Sequence, residues 1–128
     1  MSAYSTTIEL RFADFDLYGH VNSVTYFSYL ETARMKIFFS LFEELTAQGI
    51  LLLVRKAACD YLLPILPATE VITVTMQIVR IGTTSFTIGY RLHDQDGTTY
   101  ATGETLMVTF DSKSGQAVTV PEQIRQMA

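Results

Sequence analysis

The chain has 128 residues, 48% hydrophobic and 17% charged, with a formal net charge of −4 spread without runs. That length is one domain with a proper core, and that composition excludes disorder; the lack of a basic stripe excludes the electrostatic footprint of a nucleic-acid binder. One cysteine, Cys59, excludes an intrachain disulfide and a Cys-rich zinc site. The apolar runs fall short of the ~20 residues that cross a bilayer. The start, MSAYSTTIEL, has neither the basic end nor the apolar centre of a signal peptide. The expectation is a cytoplasmic protein with no membrane insertion. Its charged fraction lies below the ~25% typical of soluble domains, which points to surface covered by another subunit.

Tyr4 to Phe12 reads as a first strand, with Ile8, Leu10 and Phe12 alternating against Thr7, Glu9 and Arg11. A turn from Ala13 to Ser23 follows, with Gly19 as its most permissive point. Asn22 or Ser23 is placed to cap a helix predicted from Val24 to about Gln48, closed by Gly49. Around Ile37–Phe42 this helix is apolar on nearly every side, the pattern of a helix wrapped by the rest of its fold. The period then changes to two. Ile50 to Leu63 reads as a strand ending at Pro64, and Ile72, Val74, Met76 and Ile78 mark the next. Gly82 turns the chain into a strand with Phe86, Ile88, Tyr90 and Leu92 on one face. Asp96-Gly97 is a hairpin signal leading to Thr98–Asp111, where Tyr100, Leu106, Val108 and Phe110 share a face. A short strand over Ala117–Val120 and a helical turn over Pro121–Met127 complete the chain. One helix covers a sheet of this size only if the sheet curls around it. The outer face and edge then need cover from another copy, which predicts a homo-oligomer, a dimer or a tetramer.

The chemistry-bearing residues gather between the first strand and the helix. Asp14 and Asp16 flank Phe15. Aspartates are common in turns, where the carboxylate bonds nearby backbone, and that is the ordinary reading of an arbitrary pair. Asp16 gains from its place before a buried helix, where it can attack a carbonyl or activate a water while helix N–H groups hold an oxyanion. Asp14, Asp16 and His20 have no further ligand at metal spacing, so no metal is expected. There is no G-x-S-x-G, so a serine hydrolase has no support. Asn22 is either a cap or a group that orients substrate or water. Glu31 and Arg34 stand three apart on the helix, the spacing of an ion pair, with Glu31 near the site if the sheet wraps the helix. Tyr18 and Tyr26 read as packing or pocket-lining residues, and Gly82 as a turn that also lets backbone approach a ligand.

Asp14, Asp16, Gly19, His20, Val21 and Asn22, followed by Tyr26, Tyr29, Glu31, Ala33 and Arg34, resemble the turn and aromatic helix of the hotdog-fold acyl-CoA thioesterases of the 4-hydroxybenzoyl-CoA thioesterase-like family. Asp60-Tyr61-Leu62-Leu63-Pro64 is similar to that family's strand ending in Tyr-x-x-Pro, and Val79 to Phe86 to its Ile-Gly turn. The resemblance implies an α+β hotdog fold, a curved antiparallel sheet of five to six strands around one long central helix, in a single domain over 1–128. It implies hydrolysis of an acyl-CoA to free acid and CoA at a site between protomers. Asp16 would be nucleophile or general base, His20 and Asn22 would be catalytic, and backbone N–H groups around Val21–Val24 would polarise the carbonyl. Tyr18, Gly19, Val21, Ser23, Tyr26, Glu31 and Gly82 would contact substrate. No cofactor is implied, since CoA is part of the substrate. His20 and Asn22 follow the Gly-His-Val-Asn version also found in acyl-carrier-protein thioesterases, and Ser23 stands where a second Asn is common. An acyl-carrier-protein thioester is therefore the alternative substrate, and a hotdog protein that binds an acyl ligand without turnover is the alternative function. A hydratase or dehydratase on the same fold is a further alternative; those enzymes place the His and acid in a different motif.

Overall fold

The computed structural model describes residues 2–128. The alternating sequences form five antiparallel strands, β1 (Tyr4–Glu9), β2 (Ile50–Tyr61), β3 (Val71–Ile81), β4 (Ser85–His93) and β5 (Thr99–Asp111). They build one curved sheet in the order β1-β3-β4-β5-β2. Between β1 and β2 run α1 (Thr25–Ile37) and α2 (Phe39–Ala47), and α3 (Glu122–Arg125) closes the chain. This is the expected hotdog arrangement, a helix packed on the inner face of an antiparallel sheet.

Register decides which face is inner. Met76, Tyr90, Gly103 and Cys59 lie opposite one another across four strands, as do Ile78, Ile88, Thr105 and Ala57. A Cβ on Gly103 would stand 3.1 Å from Leu30 of α1, so the helix approaches here because the strand has no side chain. Ile72, Val74, Met76, Ile88 and Leu92 are fully buried beneath it. Burying this much apolar area, at about 25 cal/mol per Å², is the main force holding helix to sheet.

Several expectations are corrected. β1 ends at Glu9, and Phe12–Asp14 forms a short 3-10 turn instead of more strand. The long helix is two helices, bent at Phe38 (φ −99°, ψ 12°) without any Gly or Pro. Phe38 is buried and meets Phe42 edge-on at 6.0 Å, and the bend carries α2 onto β2. The sheet covers only one side of this helical pair; Met35 and Phe39 remain 49% and 58% exposed. Leu106, Val108 and Phe110 do alternate together, but their register against the Gly103 row turns them to the outer face. Arg34 does not pair with Glu31. Its side chain turns inward, Nη1 donating to the Tyr90 hydroxyl at 3.2 Å, while Glu31 stays exposed. Residues 117–120 make a single bridge, Phe110 to Ala117, and no strand. The N–H groups of Val118 and Val120 go to Thr109 and Thr83, two different elements, so no ladder can extend.

Candidate active site

The turn after β1 carries two carboxylates with different surroundings. Asp14 is 1% exposed. Its Oδ2 accepts from the Arg11 backbone N–H at 2.9 Å and the Tyr29 hydroxyl at 2.8 Å. Its Oδ1 accepts from Arg11 Nε at 3.1 Å and Nη2 at 2.9 Å. Burial pushes the Asp14 pKa up. The hydrogen bonds from the Arg11 backbone, Tyr29 and the Arg11 side chain, with the guanidinium charge, outweigh it, and the net shift is downward. Burial, and then the Asp14 carboxylate, push the Tyr29 phenol far above its ordinary value, so it remains a donor. Asp14 thus ties the turn to α1 and has no oxygen left for a reaction.

Asp16 is half-buried. Its Oδ1 accepts from Tyr18 N–H at 2.9 Å and His20 N–H at 3.4 Å, the arrangement of an Asx turn. Gly19 at φ 75° lets the chain reverse inside this loop. Asp16 Oδ2 has no hydrogen-bond partner among the described residues. The side chain sits where two grooves meet. One, of about 320 Å³, is lined by His20, Val21, Ser23, Tyr26, Tyr61 and Leu62–Pro64. The other, of about 450 Å³ and more apolar, is lined by Leu10, Phe12, Phe15, Gly19 and Pro67, with Arg11, Thr69 and Glu70.

The backbone donors ahead of α1 can be counted. Val21 N–H donates to the Ile65 carbonyl, Asn22 N–H to Asp14 and Thr25 N–H to Asn22. Val24 N–H donates to Asn22 Oδ1 at 3.0 Å. From 21 to 25, only the Ser23 N–H has no partner among the described residues, and Ser23 lines the same groove as Asp16.

Five of the anticipated residues, Asp16, His20, Val21, Ser23 and Tyr26, therefore converge on one groove, and Gly19 borders the second. Others stand apart within one chain. The Asn22 side chain is the cap of the helix lead-in. Tyr18 is 85% exposed and lines neither groove. Glu31 lines a separate hollow with Met35 and Phe39 on the outer side of α1. Gly82 belongs to the β3–β4 turn, its carbonyl accepting from Arg125 Nη2 at 3.0 Å. Two residues outside those candidates help build the site: Tyr29, through Asp14, and Tyr61, whose hydroxyl donates to the Ser23 carbonyl at 2.8 Å. The only sequence signal for Tyr61 was its place at a strand end before Leu-Leu-Pro. Among the described residues no three His, Cys, Asp or Glu side chains converge as metal ligands, and no helix is long and apolar enough to cross a membrane.

Known proteins share the fold. The solved structure of the PA2801 protein from Pseudomonas aeruginosa is 31% identical and superposes with a TM-score of 0.85, covering 95% of each chain. A predicted thioesterase from Bacillus stearothermophilus is 28% identical over 98% of this chain and 92% of its own, with a TM-score of 0.85. The YsmA protein of Bacillus subtilis is 27% identical over 124 residues, 97% of this chain and 84% of its own. The family model of the thioesterase-like superfamily matches residues 10–127. The chain belongs to the thioesterase-like superfamily.

Proposed function

We propose that this chain hydrolyses an acyl-CoA thioester to the free acid and CoA at the groove beside Asp16. The observation that carries the reading is that Asp16, one of whose carboxylate oxygens has no partner, and Ser23, whose N–H is the one uncommitted amide of the helix entrance, line the same groove. A thioester carbonyl placed between them receives a hydrogen bond on its oxygen while its carbon faces the carboxylate. As general base, Asp16 takes a proton from water and the hydroxide adds to the carbonyl carbon. The C–S bond then breaks and the thiolate leaves to be protonated. As nucleophile, Asp16 forms a mixed anhydride as the thiolate departs, and water cleaves it. His20, which lines the same groove, would exchange protons with water or thiolate. Asn22 acts through the cap that holds Val24 N–H away from the substrate, and Tyr26 walls the groove.

A second copy completes the site in this proposal. β2 is a twelve-residue strand at the sheet edge, exposed from Leu53 to Ala58, and an unpaired edge of that length invites a partner. Phe12, Leu17 and Tyr18 stand 97%, 103% and 85% exposed beside the grooves, more apolar surface than one chain keeps in water. The partner would cover these side chains and bring its own Gly82 turn toward the substrate.

The test is free-thiol release from acyl-CoAs spanning short, long and aromatic groups, with wild type and Asp16→Asn side by side. Asn keeps the Oδ1 acceptor of the turn and replaces the free oxygen with an amide NH2. Turnover that falls about 10²-fold or more in the variant is expected; near-wild-type rates would remove Asp16 from the chemistry. A second reading, an acyl-binding protein without turnover, is favoured by the half of the Asp16 carboxylate already spent on its own turn. Silence on every acyl-CoA and on acyl-carrier-protein thioesters, with acyl ligand retained, would select it.

A further inference from the structure

The Ser23–Val24 peptide at the entrance to α1 is gripped at both ends. Its N–H donates to Asn22 Oδ1 at 3.0 Å, and its carbonyl accepts from the Tyr61 hydroxyl at 2.8 Å. The preceding peptide is held as well, through the Asn22 carbonyl, which accepts from Thr25 N–H at 2.9 Å. Ser23 therefore sits between two pinned peptides, and its free N–H cannot turn without breaking one of these bonds. Two of the three partners, Asn22 Oδ1 and Thr25 N–H, are local. Tyr61 comes from 38 positions along the chain, at the end of β2. It is a firm post: Tyr61 pairs with Ala101 in the sheet, and the N–H groups of Leu62 and Leu63 both donate to the Tyr100 carbonyl. Its ring meets Tyr26 edge-on at 4.8 Å.

We propose that Tyr61 is a positioning residue for thioester hydrolysis, its hydroxyl fixing the Ser23–Val24 peptide and so limiting rotation of the adjoining Asn22–Ser23 peptide, whose free Ser23 N–H would serve the groove that Asp16 also lines. This rests on the function proposed above. An oxyanion donor is effective because it is already oriented when charge develops. A donor on a short lead-in, ahead of the regular helix, has only its neighbouring peptides to orient it. Burial, and then the nearby Cys59, push the Tyr61 phenol above its ordinary value, so the hydroxyl remains a donor at neutral pH. The ring also walls the groove, and the two roles separate by substitution. Tyr61→Phe keeps the wall and the contact with Tyr26 while removing the grip on the peptide; Tyr61→Ala removes both.

The experiment measures kcat and KM separately for wild type, Tyr61→Phe, Tyr61→Ala and Asp16→Asn on the acyl-CoA that wild type hydrolyses best. Amide hydrogen exchange of Val24, read by NMR, accompanies it. For Tyr61→Phe, kcat should fall about tenfold with KM within about twofold, as expected for a slightly misoriented donor. Val24 exchange should quicken by about tenfold as the peptide loosens. Tyr61→Ala should add a rise in KM. Wild-type kcat in Tyr61→Phe, or a raised KM with kcat intact, would overturn the positioning role and leave Tyr61 as a wall. A wild type silent on every thioester would sink the hydrolysis reading and this role with it. The exchange measurement still decides whether the grip exists, and unchanged Val24 exchange would show that it does not.

Discussion

Asp14 and Asp16 are the same residue type two positions apart in one turn, and the fold treats them in opposite ways. Asp14 faces the helix, is almost fully buried and spends both oxygens on four hydrogen bonds. Asp16 faces the grooves, spends one oxygen on its own loop and keeps the other. A carboxylate saturated by donors is a structural joint, because any reaction must first break those bonds. A carboxylate with one idle oxygen, lining the same groove as a residue with an idle N–H, is open to a ligand. The joint and the site are mechanically coupled, since Asn22 N–H donates to the Asp14 carbonyl and Asn22 in turn holds Val24.

Substitutions should pull the two apart. The largest effect belongs to Asp16→Asn, a rate loss of about 10²-fold or more with a melting curve close to wild type; a destabilised protein with intact turnover would reverse the assignment. Asp14→Asn should do the opposite. It places an amide group among four donors, three from Arg11 and one from Tyr29, and should cost about 2 kcal/mol in a urea melt. A stable Asp14→Asn protein with a large rate loss would show Asp14 to be more than a joint. Tyr29→Phe removes a single donor and should cost about 1 kcal/mol by the same measurement. The effect on acidification is confined to low pH. Asp14 has a folded-state pKa below its unfolded value, so its contribution is fully present above the ordinary 3.8 and is lost as pH falls through the lowered value. Melts between neutrality and pH 3 should therefore show an acid loss in wild type that is smaller in Asp14→Asn; equal losses would mean that Asp14 does not carry it.

Much of this architecture was legible in the residue pattern. β3 from Ile72 to Ile78 alternates strictly, and in β4 Phe86, Ile88, Tyr90 and Leu92 are buried as read from the sequence, with Thr87 buried besides, because one face of each lies under the helix. The turn was legible through Asp16, Gly19 and Asn22, residues whose conformational preferences act within a few positions. Other features were not. The bend at Phe38 carries no Gly or Pro, and follows from where a buried phenylalanine and the strand beneath α2 must meet. Which face of β5 is the inner one was not legible, because its outer side is the more apolar one. The register that places Gly103 under Leu30 overrides that pattern.

The sequence by itself determined the element order, the hairpin, the turn with its acids and the amphipathic faces of the central strands. These rest on local backbone preference and on the periodicity of burial. Only the tertiary structure decided which aspartate is closed and which open, that Arg34 turns to Tyr90, and that Ser23 keeps the idle amide. Each draws on a partner from another element: Tyr29 of α1 adds the buried bond that seals Asp14 after Arg11, Tyr90 of β4 turns Arg34 inward, and Tyr61 of β2 holds the Ser23 carbonyl next to the idle amide. Side-chain reach across elements is set by packing, and no local pattern encodes it.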